Sequence, residues 1–104
     1  RNTMETEKIK ELQKETGVVL VEFFATWCPH CQKMMPVVAN VKSKFEGRVP
    51  VYQFDIDKNS EFADSFKVET IPTFIIFDNG EPVWRTSGEL SAEALSSELE
   101  KVLA

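Results

Sequence analysis

Cys28 and Cys31 are the two cysteines of the chain, and two residues separate them in Trp27-Cys28-Pro29-His30-Cys31. Placed where an apolar strand gives way to a helix, a pair at that spacing is a dithiol suited to redox exchange. A thiolate at a helix N-terminus is favoured by the positive end of the helix dipole and by unpaired backbone N–H groups, which makes Cys28 the attacking sulfur. Its attack on a partner disulfide gives a mixed disulfide, and Cys31, in the same helical turn, displaces the partner thiol. Cys31 starts protonated and more buried, so it needs a proton acceptor. Glu22, six residues before Cys28, is the only charge in an otherwise apolar strand. Burial raises a carboxyl pKa and makes such a group a usable base near neutrality.

The elements that must position these groups follow from the hydrophobic pattern. Asn2 and Glu5 offer a helix start, Ile9, Leu12 and Thr16 share one face, and Gly17 supplies a stop, which predicts a helix over about residues 4–16. Residues 18–24 are apolar on both faces, as in a central, deeply buried strand covered by helices. Pro29 suits the first turn of the next helix, whose apolar residues Met34, Val38, Val41 and Phe45 recur until Gly47. Pro36 lies inside that helix and predicts a kink. Residues 49–56 read as a strand with Pro50 near its start, and about residues 60–66 as a short helix. Asp78-Asn79-Gly80, between Thr73-Phe74-Ile75-Ile76-Phe77 and Val83-Trp84-Arg85-Thr86, signals a hairpin, and Pro82 places its second arm at a sheet edge. Ser91 caps the last helix, Leu90 and Leu95 staple its start, and Leu95, Leu99, Val102 and Leu103 form its stripe.

This order is α/β with a mixed sheet, because the first crossover demands parallel strands and the hairpin antiparallel ones. Residues 1–17 read as helix throughout, so four strands are expected rather than five. That leaves the 49–56 strand as an exposed edge, a site for weak dimerisation of an otherwise monomeric protein.

A length of 104 residues suits one domain over 1–104, and 42% hydrophobic residues with eight Phe make a folding composition. The net charge of −5, without a basic run, gives no footprint for nucleic acid and predicts repulsion from an anionic membrane. The stretch from Val18 to Val21 is far short of a bilayer span or a signal-peptide core. Arg1-Asn2-Thr3 precedes Met4 and reads as a processing or cloning remnant, so cytoplasm is the expected compartment and an extracytoplasmic or periplasmic one the alternative if a signal was removed. Cys28, His30 and Cys31 offer metal-ligand types, but no other Cys or His completes a tetrahedral zinc set. Gln32 stands where haem attachment needs His. No cofactor is expected; electrons come from a partner reductase or go to a partner oxidase.

In order and spacing, residues 18–104 resemble the thioredoxin family. The carriers are the run from Val19 through Cys31, then Pro36, Asp55-Ile56-Asp57, Ile71-Pro72-Thr73, Asn79-Gly80 and Gly88. The resemblance implies a thioredoxin fold, Cys28 as exposed nucleophile, Cys31 as resolving thiol, and Ile71-Pro72 as a cis peptide facing the pair. With that cis bond, Trp27, Pro29, Ile71 and Gly88 would form a shallow apolar rim for a bound peptide beside Pro72. The implied activity is thiol–disulfide exchange with protein disulfides or dithiols, with a thioredoxin-type reductase leading.

Three departures bear on that reading. Thioredoxins usually carry Asp where this chain has Glu22, while protein disulfide isomerase domains have Glu. Gln53 stands where both often carry a buried Lys, and a neutral amide cannot hold the acid ionised as an ammonium would. Pro29-His30 replaces Gly-Pro and matches the pair of strong bacterial periplasmic oxidants; a His30 cation favours the Cys28 thiolate and predicts a less reducing disulfide. The alternatives are therefore an extracytoplasmic oxidase or isomerase and, in another class, a non-catalytic binding module of the same shape. Two intact cysteines argue against the module.

Overall fold

The structure, a computed structural model, describes residues 11, 12 and 14–104. Strand β1 (Val18–Phe24) is buried along nearly its whole length because helices cover both of its faces. Alternation along the strand sends Val19, Val21 and Phe23 to one face and Val18, Leu20 and Glu22 to the other. On the second face, helix α1 (Pro29–Lys44) contributes Met34, Val38 and Val41 and helix α3 (Ala92–Leu103) contributes Leu95 and Leu99 to one core with Val18 and Leu20. The first face meets Leu12 and the short helix α2 (Ser60–Ser65) through Phe62 and Ala63. Phe54, Phe62, Phe66 and Phe77 form a chain of edge-on rings there, with centroids 4.8, 5.4 and 5.5 Å apart. Each such pair adds about 0.5–1.5 kcal/mol beyond area burial, which helps a six-residue helix stay docked.

Among the described residues, four strands make one mixed sheet in the order β2-β1-β3-β4, where β2 is Val51–Asp55, β3 is Thr73–Asp78 and β4 is Glu81–Ser87. β1 runs parallel to β2 and antiparallel to β3, and β3 runs antiparallel to β4. Helices α1, α2 and α3 flank this sheet, as the pattern of parallel crossover and hairpin requires. Since β1 is an inner strand, its C-terminal end delivers the chain to the middle of one sheet margin, and α1 starts there. In open α/β sheets that margin is where reacting groups collect.

Several boundaries differ from the expectations. The predicted N-terminal helix falls mostly outside the described residues; Glu11, Leu12 and Lys14 are helical, but the helix has ended before Thr16, which is exposed rather than on the buried face with Leu12. β2 starts at Val51 rather than residue 49, although the Pro50 carbonyl already accepts from the Leu20 amide at 3.0 Å. α1 runs through Pro36, an exposed position, as expected, but ends at Lys44 rather than at Gly47. β4 begins at Glu81 and includes Pro82; the pairing shifts between Ile76 and Phe77, leaving Val83 as the extra residue of a bulge on this edge strand.

The predicted hairpin turn is present. Asn79 and Gly80 both have positive φ (52° and 84°), the pairing of signs that lets a two-residue turn follow the strand twist. Its Asn79 Oδ1 accepts from the Gly17 amide at 2.7 Å, and the Asn79 amide donates to the Gly17 carbonyl at 2.9 Å. The start of β1 is thereby tied to the hairpin. Ser91 Oγ accepts from the Ala94 amide at 3.0 Å as the cap of α3, a contact worth about 1 kcal/mol.

Candidate active site

The loop after β1 ends in an N-cap made by a cysteine. Cys28 has extended backbone (φ −86°, ψ 116°), and its Sγ accepts the Cys31 amide N–H at 3.3 Å. Pro29 fills the first position of α1, where its missing N–H costs the helix nothing. The Cys28 thiol also faces the carbonyl of Ile71 at 3.8 Å, next to the cis Ile71-Pro72 peptide. Loss of the thiol proton ends the donation to Ile71, whereas the helix-terminal amide remains to receive the anion.

Both cysteines are free, and each is only 4% exposed. The exposed Cys28 implied by the family resemblance is therefore corrected. An N-cap side chain folds back over the first turn to reach the amide it caps, and this draws Cys28 into a small cluster with Ala25 and Cys31. Phe24, Ile56 and Ile71 pack against that cluster.

Cys31 lies within the first turn of the helix, and its thiol makes no such cap. Burial, followed by the hydrogen bond and negative charge of the Cys28 sulfur, pushes its thiol up to about 12, with the Glu22 carboxylate adding to the effect. Glu22 is 2% exposed, and strand parity has turned it to the α1 side of the sheet. Burial raises its carboxyl above the ordinary 4.5, opposed by one hydrogen bond from Gln53 Nε2 to Glu22 Oε1 at 2.9 Å. The parallel register makes Glu22 and Gln53 direct neighbours. A cleft of about 570 Å³ is lined by Glu22, Thr26, Cys31, Gln32, Met35 and Gln53, so the raised acid and the raised thiol share one solvent-connected space.

On the other side of Cys28 is the expected rim. Trp27 is 63% exposed, and its indole N–H donates to Asp57 Oδ2 at 2.8 Å. Ile71 and Gly88 are half-buried. Pro72 is buried and its carbonyl accepts the Gly88 amide at 2.8 Å, so it supports the rim from beneath. Thr73 braces the same corner through hydrogen bonds with the Thr70 carbonyl and Ser87 Oγ. Pro29 and His30 are exposed on the first turn of α1, and His30 Nδ1 is 2.6 Å from Glu89 Oε2. That hydrogen bond from His30 holds the Glu89 carboxyl below its ordinary 4.5.

A family model described as Thioredoxin matches residues 2–101. The chain belongs to the thioredoxin family. The thioredoxin of Staphylococcus aureus strain N315 is 38% identical over 89 residues, which is 86% of each chain. A chloroplastic thioredoxin Y of Oryza sativa subsp. japonica is 40% identical over 92 residues, 88% of this chain; the match spans about half of the rice protein, 55%. Among solved structures, a single-site mutant of the thioredoxin from Halobacterium salinarum NRC-1 superposes with a TM-score of 0.84 at 28% identity, covering 94% of this chain and 85% of that one. Thioredoxins are protein-disulfide oxidoreductases, and these relatives support thioredoxin-type disulfide reductase function for this one.

Two residues at the thioredoxin site escaped the sequence reading. Asp57, prominent there only as part of a motif, anchors the Trp27 indole; an acidic residue at the end of the strand beside β1 was the available signal. Glu89 meets His30 from 59 residues away, and nothing local in the sequence marks it. Among the described residues, no helix is long and apolar enough to cross a membrane.

Proposed function

We propose that this thioredoxin reduces protein disulfides through Cys28 as nucleophile, Cys31 as resolving thiol and Glu22 as the proton acceptor of the second step. The observation that carries the reading is the asymmetry of the pair: one sulfur sits at the N-cap and accepts a helix amide, and the other is pushed up to about 12 beside a buried acid. The Cys28 thiolate attacks one sulfur of the substrate disulfide, forming a new S–S bond and releasing the other sulfur as a thiolate. Cys31 then gives its proton through the shared cleft to the Glu22 carboxylate and attacks Cys28 Sγ. The Cys28–Cys31 bond forms, the mixed disulfide breaks, and two electrons have passed to the substrate. A dithiol partner reductase returns them.

Trp27, Ile71 and Gly88 receive the substrate chain over Pro72, in this proposal, as an apolar rim beside Cys28. His30 favours the opposite direction, because a cation near Cys28 stabilises the reduced form and strengthens the protein as an oxidant. Its contact with Glu89 supports the reductase instead: a carboxylate at 2.6 Å offsets the imidazolium whenever it forms. The proposal includes action as a monomer in the cytoplasm, since a dithiol reductant needs a reducing compartment to be recharged. Equilibration of the Cys28/Cys31 couple against a glutathione buffer is the test. A potential near the thioredoxin value, roughly −270 mV, supports the reductase, and one near −120 mV rejects it in favour of an oxidase.

A further inference from the structure

The buried acid of this site has a neutral partner, and the chemistry of that partner bears on how the acid takes up and returns a proton. Glu22 is flanked by Gln53 on β2, by Phe74 on β3, and by the Cys31 thiol on α1. Among the described residues no Lys or Arg forms an ion pair with it. Its polar contact is the 2.9 Å hydrogen bond from Gln53 Nε2. Gln53 itself is exposed on the edge strand and lines the cleft, so its carboxamide spans the distance from the buried carboxyl to solvent.

A carboxylate only accepts hydrogen bonds, whereas a carboxylic acid must also donate one. An ammonium serves the first form but has no acceptor for the O–H of the second. A primary amide carries a donor and an acceptor on the same rotating group. We propose that Gln53 is a positioning residue that follows the proton of Glu22, donating through Nε2 while the acid is ionised and turning to accept through Oε1 once the acid is protonated. The acid is then satisfied in both halves of the cycle, and neither form is locked by a fixed charge. The inference rests on the reading of Glu22 as proton acceptor but concerns a different property, the coupling of the amide to the carboxyl.

The test is NMR titration of the reduced protein, observing the Glu22 side-chain carboxyl carbon and the Gln53 side-chain amide group. In the wild type the Gln53 amide protons should shift with the same midpoint as the Glu22 carboxyl. Gln53→Lys, a donor only, should move that midpoint down by about one pH unit or more. Gln53→Met, of similar length without hydrogen-bonding groups, should move it up, because the charged form loses the stronger bond. Wild-type amide protons that ignore the carboxyl titration overturn the inference, as does a midpoint unchanged in both variants. Single-turnover resolution of a mixed disulfide separates the two ideas. If the carboxyl moves as stated while the rate keeps its wild-type pH profile, Gln53 is coupled to the acid as proposed and it is the proton-acceptor role of Glu22 that falls.

Discussion

The two flanks of Cys28 are built from opposite materials. Toward Trp27 and Ile71 the site is open, apolar and braced by neutral backbone contacts such as Gly88 to Pro72. Toward Cys31 it is narrow and titratable, with a raised thiol and a raised carboxyl facing one cleft. The first flank can receive an extended chain and bring its disulfide to the sulfur at the helix cap. The second can move a proton while the partner occupies the first. Thiol–disulfide exchange needs both operations at adjacent atoms, and dividing them between two sides of one helix terminus keeps the proton acceptor clear of the substrate.

The largest effects should come from separating the two sulfurs. Cys28→Ser should reduce turnover of a model protein disulfide by at least about 10³-fold, since the one other cysteine of the chain, Cys31, lies on the cleft side. Cys31→Ser should leave the first attack intact and accumulate the mixed disulfide, visible as a covalent adduct under non-reducing conditions. Equal turnover in wild type and Cys28→Ser would instead mark a binding module of thioredoxin shape.

Glu22→Gln addresses the titratable flank alone. Resolution of the mixed disulfide should slow by roughly 10²-fold while the first attack keeps its rate. An unchanged single-turnover profile would reject Glu22 as the acceptor. The same variant carries a stability signature. Because the folded carboxyl is raised above 4.5, the folded state favours the protonated acid; that stabilisation is complete below 4.5 and is lost as pH rises through the folded value. Glu22→Gln should therefore melt higher than wild type at neutral pH, with the gap closing as pH falls through the folded value toward 4.5.

The smallest effect is expected on the open flank, at an exposed pair. Glu89→Gln should leave the melting temperature unchanged, since exposed ion pairs contribute little. It should make the redox potential less negative by up to about 30 mV, one tenfold step in the exchange equilibrium. A shift in the opposite direction would mean that Glu89 does not offset His30.

How much of this was legible beforehand differs between the flanks. The strand, the cysteine spacing, Pro29 at the helix start and the Asn79-Gly80 turn are local patterns, and each forms where it was read, because backbone propensity acts over a few residues. The strand limits were less legible: Val49 and Pro50 look like strand from composition, yet the sheet pairing begins at Val51. Cys28 was expected to be exposed, and the fold-back of a capping side chain buries it. Glu22 was readable as an anomaly in an apolar run, but its direction depends on strand parity, and its bond to Gln53 depends on the register of two strands separated by a helix.

Sequence by itself determined the chemistry available to this protein: a dithiol at a helix start, one acid in a buried strand, and a turn and capping set that specify α/β elements in a fixed order. Those follow from side-chain chemistry and from interactions spanning at most a few turns. Tertiary structure alone decided which groups meet across the fold. Trp27 to Asp57, His30 to Glu89 and Glu22 to Gln53 are separated by 30, 59 and 31 residues, and their contacts exist only after the sheet has chosen its register and α1 has docked on it.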